Sequence, residues 1–319
     1  MLESYGEKML LESKIAELFS KGKFVVTSEL SPPRGANQQV LLDKLELMKG
    51  YCDAVNLTDN VRGIPSMSSL ASSHLVLKSG MEPIMQLTTR DKNRVAIQSE
   101  LYGAYALGVR NLLFITGDHS YLGPYHDVKP VEDLNSIQAL ELASRLMSGF
   151  DITGEQLEGI PQFYLGSTFN QHAEDIEKEA KRVESKYFAG AEFFQTQAVF
   201  DVERFSSFVD LVKDLPIRIL AGIIPLKSPE SAEFMNHAIP GIEIPDSMIE
   251  KLKDAGEGYS EEEALEKYME QGLKMSVDLI SEICKIKRID GVHIMGVNWE
   301  ESLSFLVEKS EIRTLRNGV

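Results

Sequence analysis

A closed (β/α)8 TIM barrel is the fold this sequence predicts. Three observations carry it: eight short β-rich apolar runs, helical spacing between consecutive runs, and near-continuous apolarity within each run. Strands buried on both faces read as unbroken apolar runs, and strands alternating with helices imply a parallel sheet. Eight such units in 319 residues suit a closed barrel better than the alternative, an open doubly wound sheet. No GxGxxG follows any of the runs, which weakens a dinucleotide-binding sheet further.

In order, the runs are FVVTSEL (24–30), DAVNLTD (53–59), PIMQLT (83–88), NLLFITG (111–117), QFYLGSTF (162–169), EFFQTQ (192–197), IRILAGII (217–224) and GVHIMG (291–296). Between them, Leu41, Leu45 and Met48 share one helical face, as do Ile137, Leu140 and Met147 behind a cap at Asn135 or Ser136. Residues 1–22 form an additional helical extension, with Leu11, Ile15, Leu18 and Phe19 on one face, that plugs the barrel bottom or packs outside it. Residues 241–285 exceed one crossover and predict a helical insertion before the last strand. Ser260 and Glu263 make a capping box there, after a break at Gly256 and Gly258. No repeat or linker divides the chain, so one domain over 1–319 is expected.

Composition narrows the function. The formal charge of -16 argues against a nucleic-acid partner, which needs clustered Lys and Arg, though not against one small anion at a local basic patch. Cys52 and Cys284 form no CxxC, so a reducing, cytoplasmic setting is expected. No run of apolar residues is long enough for membrane insertion. The histidines form no HxH or HxxxH pair, so no metal site is expected.

In such a barrel the active site lies at the C-terminal strand ends. Those positions hold Glu29, Thr58, Asp59, Gln86, Thr88, Asp118, Thr168, Asn170, Gln197, Lys227 and Asn298. Any one of them alone is as well explained by a strand end meeting solvent. Two acids stand out. Glu29 lies in VVTSELSPPRG, beside a rigid Pro32–Pro33 pair, and Asp118 follows a buried run in FITGDH. A carboxyl in apolar surroundings can serve as a general acid; the plain alternative for Glu29 is a pairing with Arg34 or with a neighbouring strand.

The segments SELSPPRG, AVNLTDN, QLTTRDKNR, LFITGDH, VEDLNSIQAL, GSTFN, KYFAGAEFFQTQAVFD, AGIIPLKS and IPGIEIP, in this order, resemble the methylenetetrahydrofolate reductase family from about residue 24 to residue 300. AGAEFFQTQAVFD and the ExxPPR segment are the most specific. The resemblance implies an FAD-containing barrel that converts 5,10-methylenetetrahydrofolate to 5-methyltetrahydrofolate. It makes Glu29 the catalytic acid that opens the folate ring, and gives Asp118 a role beside flavin and pterin. It makes Gln197 a pterin ligand, and Thr58, Thr88, Gly117, Asp118, Gly166, Thr168, Asn170 and Lys186 flavin ligands, with Lys181 or Arg182 helping to answer the pyrophosphate charge. His119 is a lesser candidate at the flavin edge.

The sequence departs from the NAD(P)H-oxidising members at four places. Pro229 stands where an aromatic residue stacks the nicotinamide, Gln86 where His precedes LT, Thr116 where Arg precedes GD, and Met295 where the last strand carries an aromatic. Some anaerobic members of the family act beside a small cysteine-rich metal protein and receive electrons through it. With these departures, and with two cysteines unable to provide the four thiolates of an iron–sulfur cluster, the resemblance implies electrons supplied through such a cysteine-rich metal or iron–sulfur partner subunit. Direct NAD(P)H oxidation, a flavin-free folate-binding methyltransferase barrel and a non-catalytic electron-relay subunit remain alternatives, and a homo-oligomer stays open.

Overall fold

A computed structural model describes residues 12–118, 123–125, 127–239 and 241–317. The strands are β1 (Val25–Leu30), β2 (Ala54–Leu57), β3 (Pro83–Thr88), β4 (Asn111–Ile115), β5 (Tyr164–Phe169), β6 (Phe193–Ala198), β7 (Arg218–Ile223) and β8 (Gly291–Ile294). They pair in parallel in sequence order and β8 closes on β1, so the chain forms the predicted barrel. Closure leaves no strand edge unpaired.

Among the described residues the helices are α1 (Lys14–Ser20), α2 (Gln38–Met48), α3 (Ser69–Lys78), α4 (Arg94–Ala106), α5 (Ser136–Met147) and α6 (Ile176–Phe188). They continue with α7 (Val202–Leu211), α8 (Pro229–Ala238), α9 (Asp246–Gly256), α10 (Glu261–Ile283), α11 (Ser302–Lys309) and α12 (Ile312–Asn317). None is long and apolar enough to cross a membrane.

Side chains alternate along a strand, so every second residue points into the barrel. Val25, Ala54, Ile84, Leu113, Tyr164, Phe193 and Leu220 form the bottom layer, closed from below by Ile15 and Phe19 of α1. Helix α1 is therefore a plug, capped by Ser13, whose hydroxyl also donates to the buried Asn111. Leu11, expected on its apolar face, lies outside the described residues. Two positions further along the strands come the buried polar residues Thr27, Asn56, Gln195 and His293. Two more lead to Glu29, Thr58, Thr88, Thr168 and Gln197 at the mouth. The interior thus grades from apolar to polar towards the C-terminal end.

Outside the barrel, α5 illustrates how local signals and packing agree. Asn135, not Ser136, caps it, and Gln138 reaches back to complete the box. Ala139, Leu140, Leu142, Ala143 and Leu146 then face the core, each buried leucine contributing about 1.5–3 kcal/mol. Residues 241–285 supply α9 and α10, with the Ser260–Glu263 box formed. Their apolar faces build a second cluster on Phe200, Ile224 and Leu226. Helix α10 approaches so closely that a Cβ at Gly272 would lie 1.8 Å from the Leu226 carbonyl oxygen. Backbone cannot yield as a side chain would. Gly272→Ala is expected to lower stability by about 1–3 kcal/mol, read by denaturant unfolding; a neutral result would mean this contact is loose.

Candidate active site

At the barrel mouth lies a cavity of about 600 Å³. Glu29, Thr58, Thr88, Gly117, Asp118, Thr168, Asn170, Lys186 and Gln197 all line it, although they come from six different strand ends and a helix. Gly166 does not. It lies one layer deeper, where a Cβ would fall 2.2 Å from the Phe193 ring, so its missing side chain makes room for core packing. Lys227 and Asn298 also lie outside the lining: Lys227 Nζ donates to the Val297 carbonyl at 2.6 Å, and Lys44 donates to Asn298 at 3.0 Å. Both tie loops together.

Glu29 is half-buried, its side chain 26% exposed. Its carboxyl is met not by Arg34 but by Gln86 of β3 and by His293 of the neighbouring strand β8: Gln86 Nε2 donates to Oε2 at 3.1 Å, and His293 Nε2 stands 3.9 Å from the same oxygen. Gln86, one of the four departures, is thereby in direct contact with the Glu29 carboxyl. Asp118 differs from the expectation of enclosed surroundings, since it is exposed at the rim. His119 beside it lies outside the described residues.

Sequence reasoning did not single out Arg90, which organises this rim. Almost wholly buried, it donates to the Asp118 carbonyl at 2.8 Å and the Asn60 carbonyl at 2.9 Å while its fork grips Asp91. One guanidinium therefore joins the loops after β2, β3 and β4. The loop it holds is strained: Asn60 and Arg62 have φ of 48° and 54°, and Arg62 lines the cavity. Such conformations persist in non-glycine residues only where their surroundings impose them. Gly117 has φ of 88° and presses against Thr88, where a Cβ would meet Cγ2 at 2.3 Å. Thr88 is locked in turn, because its amide donates to the Asp59 carboxylate and its hydroxyl to the Asp59 carbonyl. Behind it, burial pulls the Lys92 ammonium down, but Asp59 and Glu100 outweigh that and hold it above its ordinary value.

The opposite wall is cationic. Lys186 on α6 is 4% exposed and donates to the Thr168 carbonyl. Burial, reinforced by the nearby Arg182 charge and opposed by Glu179, pushes its ammonium down to about 8. Arg182 lines the cavity, whereas Lys181 is exposed and off the lining. Asn170 is braced against the segment before α9: a Cβ at Gly241, φ 83°, would fall 2.5 Å from its amide nitrogen. The register with β7 shifts between Gln195 and Ala198, and in that interval the Gln197 carbonyl accepts from Gln171 at 3.0 Å. Pro229 lies away from the cavity, as the buried first residue of α8 behind its Ser228 cap. Thr116 and Met295 are on the lining.

Comparison with known proteins bears on the family and the fold. The family model for methylenetetrahydrofolate reductase matches residues 14–311. Methylenetetrahydrofolate reductase 1 of Schizosaccharomyces pombe is 25% identical over 316 residues, covering 94% of this chain and 48% of its own. A probable methylenetetrahydrofolate reductase (NADPH) of Caenorhabditis elegans is 25% identical over 306 residues, covering 92% and 43%. The chain thus spans about half the length of the curated relatives it matches. Among solved structures, a Clostridium thermocellum protein described as binding two copies of 5-methyl-5,6,7,8-tetrahydrofolic acid superimposes with a TM-score of 0.64. At 17% identity over 92% of this chain and 98% of that one, it shares the fold. With the family model covering nearly every described element, the chain belongs to the methylenetetrahydrofolate reductase family.

Proposed function

We propose that the protein reduces 5,10-methylenetetrahydrofolate to 5-methyltetrahydrofolate with bound FAD. The observation that carries the reading is the convergence of a half-buried carboxyl, Glu29, with Asp118, Gln197 and the cationic Lys186 wall in one cavity. The lining suits a flavin dinucleotide. Lys186 and Arg182 offer charge to a diphosphate, and threonine hydroxyls and the Gly117 backbone on the lining offer polar contacts. When bound and reduced, that group supplies a hydride to the one-carbon unit. Glu29 gives its proton to a folate nitrogen, which opens the five-membered ring and leaves an iminium carbon to accept the hydride. Gln197 holds the pterin, and Asp118 hydrogen-bonds it from the rim. The net change adds a hydride to carbon and a proton to nitrogen across the cleaved C–N bond.

For the electron source we favour a cysteine-rich iron–sulfur partner subunit. Pro229, which the resemblance puts in place of the ring that stacks a folded nicotinamide, is the buried first residue of a helix away from the cavity and offers no such ring. The chain's own thiols offer no relay, since burial pushes Cys52 and Cys284 each up to about 12. Protein purified with FAD is expected to be yellow, to bleach with 5-methyltetrahydrofolate, and to stay oxidised with NADH or NADPH. Bleaching by a nicotinamide at the rate of methyl-folate formation would replace the partner by direct oxidation. Folate binding to a colourless protein that refuses FAD would favour a methyltransferase and end the reductase reading.

A further inference from the structure

The polar layer beneath Glu29 has a definite hydrogen-bond direction. Asn56 and Gln195 pair reciprocally through their amides, at 2.6 and 3.0 Å, inside the barrel. Both amides turned over together would pair equally well, and the Glu29 carboxylate decides between the two arrangements. It favours a proton on His293 Nε2, the nitrogen that faces it, so Nδ1 accepts from Thr27 and the Gln195 nitrogen donates to the Thr27 hydroxyl oxygen at 3.2 Å. Thr27 therefore spends its own proton on its other neighbour, His293 Nδ1, 2.9 Å away. An Nδ1 that accepts requires the proton of a neutral imidazole to sit on Nε2. Nε2 faces Glu29 Oε2.

We propose that the Asn56–Gln195–Thr27 chain holds His293 as the Nε2–H tautomer, and that this N–H positions the Glu29 carboxyl for proton transfer. The gap of 3.9 Å is too long for a formed hydrogen bond and closes with a small turn of the Glu29 side chain. With Gln86 donating to the same oxygen, Oε2 then accepts twice. An oxygen that accepts two hydrogen bonds is the poorer seat for a proton, so the transferable proton rests on Oε1. His293 is a positioning residue, buried at 3% exposure and drawn from the strand that closes the barrel against β1. The role in turnover rests on the reading of Glu29 as the acid; the tautomer does not.

Two measurements test it. The first is nitrogen-15 NMR of the imidazole rings in the ligand-free protein at pH 8, where an ordinary imidazole is neutral. His293→Asn identifies the His293 signals by their loss. The expected signal is Nε2–H in the wild type, with mixed tautomers in Thr27→Val. The second is single-turnover reduction of FAD-loaded protein by 5-methyltetrahydrofolate, with folding checked by thermal melts. His293→Asn, which loses a donor at the Nε2 position, is expected to slow by up to about 100-fold with flavin affinity unchanged. His293→Gln, whose amide reaches that position, should recover most of the rate. An Nδ1–H wild type, or equal losses in the two variants, overturns the proposal. A wild type that shows Nε2–H but no folate turnover would sink the reductase reading while supporting the assigned tautomer.

Discussion

Glu29→Gln is expected to reduce folate turnover by about 10²–10⁴-fold, the usual contribution of a positioned general acid. The substitution keeps shape and polarity but removes the proton that opens the ring. Gln86 and His293 would still meet an oxygen at this position, so the cavity should keep its form. FAD affinity and the reduction of flavin by an artificial donor should therefore match the wild type. Stopped-flow mixing of reduced protein with 5,10-methylenetetrahydrofolate separates the two: chemistry slows while binding does not. Wild-type rates in the variant would remove Glu29 from the mechanism and leave a relay subunit as the better description.

Lys186→Met is expected to weaken FAD binding by about 10–100-fold, the equivalent of one charge-assisted hydrogen bond. Methionine fills similar space at a position that is 4% exposed, so the apoprotein should still fold. Flavin titration by fluorescence reads the effect without any turnover. The pH dependence has a definite sign. Burial, then Arg182, lower the Lys186 ammonium to about 8 while Glu179 pulls the other way. Below that value the free protein carries the charge a diphosphate needs. Above it, binding must first take up a proton, so affinity falls towards about tenfold per pH unit. In Lys186→Met this decline near pH 8 should vanish. A wild-type profile flat from pH 7 to 9.5 would show that Lys186 does not answer the flavin's charge.

Local pattern wrote most of the barrel into the sequence. Each buried strand is a short apolar run, and that property needs no knowledge of its neighbours. The edges were less legible. The run 53–59 yields only Ala54–Leu57 as strand, because Asp59 turns its carboxylate to the Thr88 amide and leaves the ladder. Glu29 and Lys186 could be named from their motifs, but not the environment that gives each its chemistry. Gly166 reads like a ligand-approach glycine and is a packing one, since Phe193 on the adjacent strand decides its use.

What the sequence determined by itself, then, is the number and order of the β and α units, the capping box at Ser260 and Glu263, and the polar residues at each strand's end. These follow from periodicity and capping chemistry, which act over a few residues. Tertiary structure alone decided which of those polar groups meet. Thr27 reaches His293 across 266 residues, Asn56 reaches Gln195 across 139, and Arg90 gathers three loops, because barrel closure and strand register bring remote residues into one layer. No spacing along the chain encodes that stagger; it arises only when β8 pairs with β1.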